Sequence, residues 1–213
     1  MTKKKVIELI EILKKSYPDA KCSLNFKSTF ELAIAVMLSA QCTDERVNKT
    51  TPYLFKKYKT PKDFIDAPLS IIDKIITPCG FHHNKSKNIK GMAQIVENKF
   101  NGTLPDNMDD LMSLPGIGRK SANVIMLDAF DKPQGIAVDT HVKRISNRIG
   151  LSNKKDPEKI ELDLLKIIPK EYLKDVNHLF IWHGRNTCKA QSPNCIVCPI
   201  KDYCKSYNKN KKI

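Results

Sequence analysis

Asp109-Asp110-Leu111-Met112-Ser113-Leu114-Pro115-Gly116-Ile117-Gly118-Arg119-Lys120-Ser121-Ala122-Asn123-Val124-Ile125-Met126-Leu127 is the stretch on which the reading of this chain turns. It reads as helix, tight glycine-rich turn, helix. Gly116 and Gly118 permit left-handed backbone geometry and close approach at the turn. The second helix starts beside them, and its unpaired N–H groups and positive dipole end suit a phosphate. Nothing in this arrangement reads a base. Such turns also join helices for purely structural reasons, so Leu114 before the proline, Arg119 and Lys120 after it, and the charge of the whole chain carry the weight.

That charge is large. The 213 residues hold 37 Lys and Arg against 23 Asp and Glu, a formal net charge of +14 with a pI near 9.4, which points to an anionic partner. With 41% hydrophobic and 28% charged residues the composition is that of a soluble globular protein, outside the disordered, collagen-like and membrane classes. A chain of this length hides roughly 70% of its unfolded surface, so its core needs no disulfide staple.

Apolar spacing is helical along the chain, as in Val6, Leu9, Ile10 and Leu13, or Ala122, Ile125, Met126 and Ala129. Helix starts are marked by Ser28 with Glu31, by Thr60-Pro61 and by Asp156-Pro157. No sustained alternation calls for strands, so the expected fold class is all-α. The N-terminus carries acids inside its first apolar stretch and reads as an amphipathic helix, not a signal peptide. The apolar run Leu32–Leu38 is too short to span a bilayer and suits a buried helix. A cytoplasmic protein is expected. The Lys- and Asn-rich tail from Lys205 to Ile213 reads as solvated and frayed.

Seven cysteines in such a chain argue for thiols or metal ligands over a disulfide framework. Cys188, Cys195, Cys198 and Cys204 form C-x6-C-x2-C-x5-C, close enough to converge on one centre. Four thiolates suit tetrahedral zinc or an iron–sulfur cluster. Zinc sites pair two short knuckles, whereas here only Cys195 and Cys198 are close, which favours a [4Fe-4S] cluster. With all four positions taken by protein, its expected job is to hold a loop that presents Lys189, Lys201 and Lys205 to phosphate. Cys22, Cys42 and Cys79 show no partner pattern and are expected to be buried small hydrophobes.

Lys120 falls in the first turn of the second hairpin helix, where the dipole disfavours a cation and so favours the neutral amine. A nucleophilic lysine needs that help, because an unperturbed one with pKa near 10.4 is almost wholly protonated at pH 7. On position alone the reading as one more phosphate-facing lysine is the stronger, and only the rest of the pattern overturns it. Asp139, in Ala137-Val138-Asp139-Thr140-His141-Val142, follows the Pro133-Gln134-Gly135 turn and precedes a helical stretch. It reads either as an N-cap or as a carboxylate that takes a proton or steadies positive charge on a sugar.

Ser39-Ala40-Gln41-Cys42-Thr43-Asp44, Leu114 to Lys120, Val138 to Val142, His183-Gly184-Arg185 and the four-cysteine loop occur in this order. In that combination the chain resembles the endonuclease III family of DNA glycosylases and abasic-site lyases, over nearly its whole length. The resemblance implies two α-helical lobes with a DNA-binding cleft between them. Residues 22–132 would form a six-helix barrel carrying the helix-hairpin-helix at about 109–128, and residues 1–21 with 133–213 would form the cluster lobe.

It implies double-stranded DNA holding a damaged pyrimidine or an abasic site as partner, a monomer at work on it, and a location at the nucleoid through DNA. The damaged base would be flipped out, at a cost of a few kcal/mol. Gln41 would fill the vacated space, with Phe81 or His82 as wedges. Lys120 would attack C1′, expel the base and form a Schiff base, after which β-elimination cleaves on the 3′ side, with Asp139 assisting. Gly116, Gly118, Leu114, Arg119, His141 and Arg185 would contact DNA. His82 and His83 read as DNA-facing or capping residues and not as metal ligands, and His141 and His183 equally as satisfied core histidines. The rival readings are a monofunctional mismatch glycosylase, against which Lys120 argues, and a non-catalytic DNA-binding module with a structural metal clip.

Overall fold

The computed structural model describes residues 1–210, and among them every regular element is a helix, as the apolar spacing requires. The chain divides into two compact units, Cys22–Lys132 and Met1–Lys21 together with the chain from Pro133 onward. Helix α1 (Lys3–Ser16) belongs to the second of these and is capped by Thr2, which accepts from the Lys5 amide.

The Cys22–Lys132 unit is built from α2 (Thr29–Leu38), α3 (Asp44–Lys57), α4 (Pro61–Asp66), α5 (Leu69–Ile76), α6 (His82–Phe100), α7 (Met108–Met112) and α8 (Arg119–Asp128). Phe30 and every residue from Leu32 to Leu38 are buried, so α2 is apolar all round and runs through the centre of the unit. The larger of these side chains, Phe30, Leu32, Ile34, Val36, Met37 and Leu38, each contribute about 1.5–3 kcal/mol by leaving water. Ser28 accepts from the Glu31 amide at 3.1 Å, while the Glu31 carboxylate takes the Lys27 amide. Thr60 and Asp63 close a full capping box ahead of Pro61 at the start of α4. Helix α8 packs on α2 and α7, which sets the hairpin against the centre of the core.

In the other unit α1 is followed by α9 (Thr140–Ile149), α10 (Pro157–Ile167), α11 (Leu173–Asn186) and α12 (Lys205–Asn210). The stripe Val6, Leu9, Ile10 and Leu13 is buried, and α1 packs on α11, as α9 does. The tail departs from expectation. Lys205–Asn210 is helical, because the Lys205 side chain lies against Gly150 and the Asn208 amide bonds the Cys204 carbonyl at 3.0 Å. The last three residues of that reading lie outside the described residues. No helix among the described residues is long and apolar enough to cross a membrane.

Candidate functional site

The hairpin is set by its caps. Asn107 starts α7 by accepting from the Asp110 amide at 2.9 Å, and the Ile117 amide donates to the Leu114 carbonyl at 3.1 Å to reverse the chain. Gly116 has φ +80, and a Cβ there would meet the Asn88 side chain at 3.0 Å and Met37 Sδ at 3.1 Å, so glycine is required twice over. Gly118 differs from its sequence reading. Its backbone is extended (φ −94, ψ 177) and a Cβ there would meet nothing within 4 Å, because the reversal is complete at Gly116. What Gly118 provides is an open start to α8, where no side chain caps the first amides. Leu114 and Ile117 are buried, so Leu114 anchors the turn from inside and its side chain does not face solvent. Arg119 is half-buried and Lys120, at the second position of α8, is exposed.

Gln41 and Phe81 both take left-handed backbone conformations, φ +54 and +50, at exposed turns. For non-glycine residues this costs roughly 1–2 kcal/mol each. One side chain holds both turns. The buried Lys85 ammonium donates to the carbonyls of Leu38 and Ala40 at 2.8 Å and of Cys79 at 2.9 Å. Burial draws its pKa down, countered in part by the Cys42 and Cys79 sulfurs. His82 and His83 are turned toward Asp73 of α5: their Nδ1 atoms lie 2.9 and 3.0 Å from its Oδ1. Burial raises the Asp73 pKa, but hydrogen bonds led by His82 outweigh it and hold the carboxyl below its usual range.

Asp139 is the N-cap of α9, its Oδ1 accepting the Val142 amide at 2.7 Å. It is half-buried on top of buried Ala137 and Val138. Further along α9, two arginines four residues apart grip the start of the cysteine loop. Arg144 donates to the Cys188 and Gly184 carbonyls, both at 3.0 Å. Arg148 Nη1 lies 3.3 Å from Cys188 Sγ and donates to the Lys189 carbonyl at 2.6 Å. His141 is half-buried with Nδ1 3.0 Å from Arg144 Nη2, and Gly184 is where α11 passes close enough that a Cβ would sit 2.7 Å from that His141 nitrogen. Arg185 is exposed.

Cys188, Cys195, Cys198 and Cys204 are free thiols lining one cavity of about 450 Å3, together with Arg148, His183 and Ile200. Burial, then the other three sulfurs, push the Cys198 thiol up to about 11. Four sulfurs lining one cavity suit a cationic centre, which takes cysteine as thiolate. Four cysteine sulfurs on one cavity are a donor set that fits an iron–sulfur cluster. His183 is a buried, satisfied histidine, with Tyr17 Oη at 3.0 Å and Cys198 Sγ at 3.7 Å. Of the lysines expected to face outward, Lys201 turns back to the Ile196 carbonyl at 3.1 Å. Cys79 is buried and Cys22 and Cys42 half-buried, all against the core of the Cys22–Lys132 unit.

Residues 34–170 match the family described as HhH-GPD superfamily base excision DNA repair protein, and residues 188–204 match the iron–sulfur binding domain of endonuclease III. Endonuclease III of Synechocystis is 43% identical over 204 residues, covering 96% of this chain and 93% of that protein. The chain belongs to the endonuclease III family. The structure of a non-covalent endonuclease III–DNA complex superposes with TM-score 0.92 at 44% identity, covering 100% of both chains. A trapped covalent endonuclease III–DNA intermediate, an estranged-adenine complex, also gives 0.92 at 44% identity, covering 99% of each.

For this member of the endonuclease III family, sequence reading missed Lys85, Asp73, Arg144 and Arg148. Lys85 had a signal: it shares the buried face of α6 with Ile89, Met92 and Val96, a place where a lysine must find partners. The arginine pair was visible as an i, i+4 repeat but not as the support of a loop forty residues away.

Proposed function

We propose that this protein is a bifunctional DNA glycosylase and abasic-site lyase that removes oxidised or damaged pyrimidines from duplex DNA. The observation that carries this is Lys120, exposed at the uncapped start of α8, in a chain 44% identical across its length to an endonuclease III caught covalently on DNA. The neutral Lys120 amine attacks C1′ of the damaged nucleotide, the C1′–N bond breaks and the base leaves with a proton. The attached nitrogen loses a proton, its lone pair expels O4′ as the C1′–O4′ bond breaks, O4′ takes a proton, and a protonated Schiff base remains. Loss of a C2′ proton then expels the 3′ phosphate by β-elimination. Asp139 accepts a proton and steadies positive charge on the sugar, and the cap bond to Val142 fixes its orientation.

The α8 amides beside Gly116 and Gly118, with Arg119, hold backbone phosphate. Gln41, Phe81 and His82 address the flipped-out site, and His141 and Arg185 contact the strand. Residues 22–132 act as the barrel lobe, and residues 1–21 with 133–213 as the cluster lobe. Cys188, Cys195, Cys198 and Cys204 hold a [4Fe-4S] cluster, which when bound fixes the backbone of their loop. The protein works as a monomer in the cytoplasm, at the nucleoid through its DNA.

A duplex with one oxidised pyrimidine tests the reading. The native protein releases the base and cleaves on the 3′ side, and Lys120→Ala loses roughly 1,000-fold or more of that turnover while still binding. Base release without cleavage by the native protein would make it a monofunctional glycosylase. Binding with neither would make it a DNA-binding module with a metal clip.

A further inference from the structure

Helices α5 and α6 bring together a donor set in which Asp73 and His83 have no part in base excision. His82 and His83 open α6, directly after the Gly80–Phe81 turn, and both Nδ1 atoms reach Oδ1 of Asp73 on α5, at 2.9 and 3.0 Å. Ser86 Oγ reaches the same oxygen at 3.2 Å. The single proton of the Ser86 hydroxyl also has the His83 carbonyl within reach, at 3.0 Å, while the two imidazole nitrogens converge on the same carboxylate oxygen with their rings 4.1 Å apart. The two nitrogens and the carboxylate oxygen all lie within 4.8 Å of one another, close enough for one metal ion to reach all three. Access is open. The His83 side chain is 77% exposed, while Asp73 and His82 are partly buried at 19% and 26%.

We propose that Asp73, His82 and His83 form a binding site for a divalent transition-metal ion of the zinc class, separate from the cysteine cluster. Two imidazoles and one carboxylate suit zinc and its neighbours and are a poor set for calcium or magnesium, which take oxygen. Three protein donors leave the remaining positions to water. The ion fastens the first turn of α6 to α5, and with it the turn that carries Phe81. The inference stands whether or not Phe81 and His82 touch DNA.

The test is calorimetric titration of Zn2+ into the full-length, cluster-loaded protein, followed by thermal unfolding with and without the ion. One site is expected, with a higher unfolding temperature when filled. His83→Ala, at an exposed side chain, weakens binding by at least about tenfold and removes the thermal shift. His83→Asn behaves the same way and serves if the alanine variant does not fold. Co2+ in place of zinc gives ligand-field bands without sulfur-to-metal charge transfer. No binding, binding by both variants equal to that of the native protein, or a new sulfur-to-cobalt band above the cluster's own absorption would each overturn the site.

Discussion

The ammonium of Lys85 donates to three main-chain carbonyls and so holds the Gln41 turn and the Cys79–Phe81 turn at once. Lys85→Met fills the same space but leaves those carbonyls without a donor. We expect a loss of about 3 kcal/mol in chemical denaturation, with repair activity falling because two strained turns lose their tether. Asp139 carries two roles that one substitution separates. Asparagine caps a helix as well as aspartate does, so Asp139→Asn keeps helix content and stability while slowing turnover, whereas Asp139→Ala also costs about 1 kcal/mol. Unchanged turnover in Asp139→Asn would leave only the cap. Both readings of Asp139 were legible in its position after a turn and before a helix; only the hydrogen bond to Val142 decides that the cap is made.

At the hairpin the two glycines answer to different forces, and substitution tells them apart. Gly116→Ala forces a side chain into a left-handed residue against Asn88 and Met37, and is expected to destabilise the protein by roughly 1–3 kcal/mol. Gly118→Ala meets open space and changes stability by less than about 0.5 kcal/mol, yet weakens DNA binding by placing a methyl over the α8 amides. Thermal unfolding and fluorescence anisotropy with duplex DNA check the pair. The sequence showed that a turn lay here but not which glycine closed it, because φ depends on how Asn88 and Met37, distant in the chain, press on it. The cluster loop makes the same point. Its four cysteines are plain in the sequence, while their support by Arg148 is not. Arg148→Leu removes a donor 3.3 Å from the Cys188 sulfur and is expected to lower the cluster's reduction potential, read by electrochemistry.

For the molecule as a whole, the net charge of +14 sets how binding responds to salt. Each phosphate neutralised contributes about −0.9 to the slope of log K against log salt on duplex DNA, so affinity is expected to fall steeply as salt rises. A flat response in an anisotropy titration would contradict phosphate gripping. Charge, helical periodicity and the cysteine spacing were readable along the chain because each is local or additive. The described part of the tail is solvated as read, but its helix was not legible for the opposite reason: the contact beside Lys205–Asn210 is made with Gly150, distant in the chain at the end of α9.

The account rests on Lys120 as the nucleophile, and borohydride trapping on a duplex with one abasic site tests it most directly. The native protein should form a covalent adduct with DNA that Lys120→Ala does not form. An adduct of equal yield from Lys120→Ala, or none from folded, cluster-loaded native protein, would contradict it.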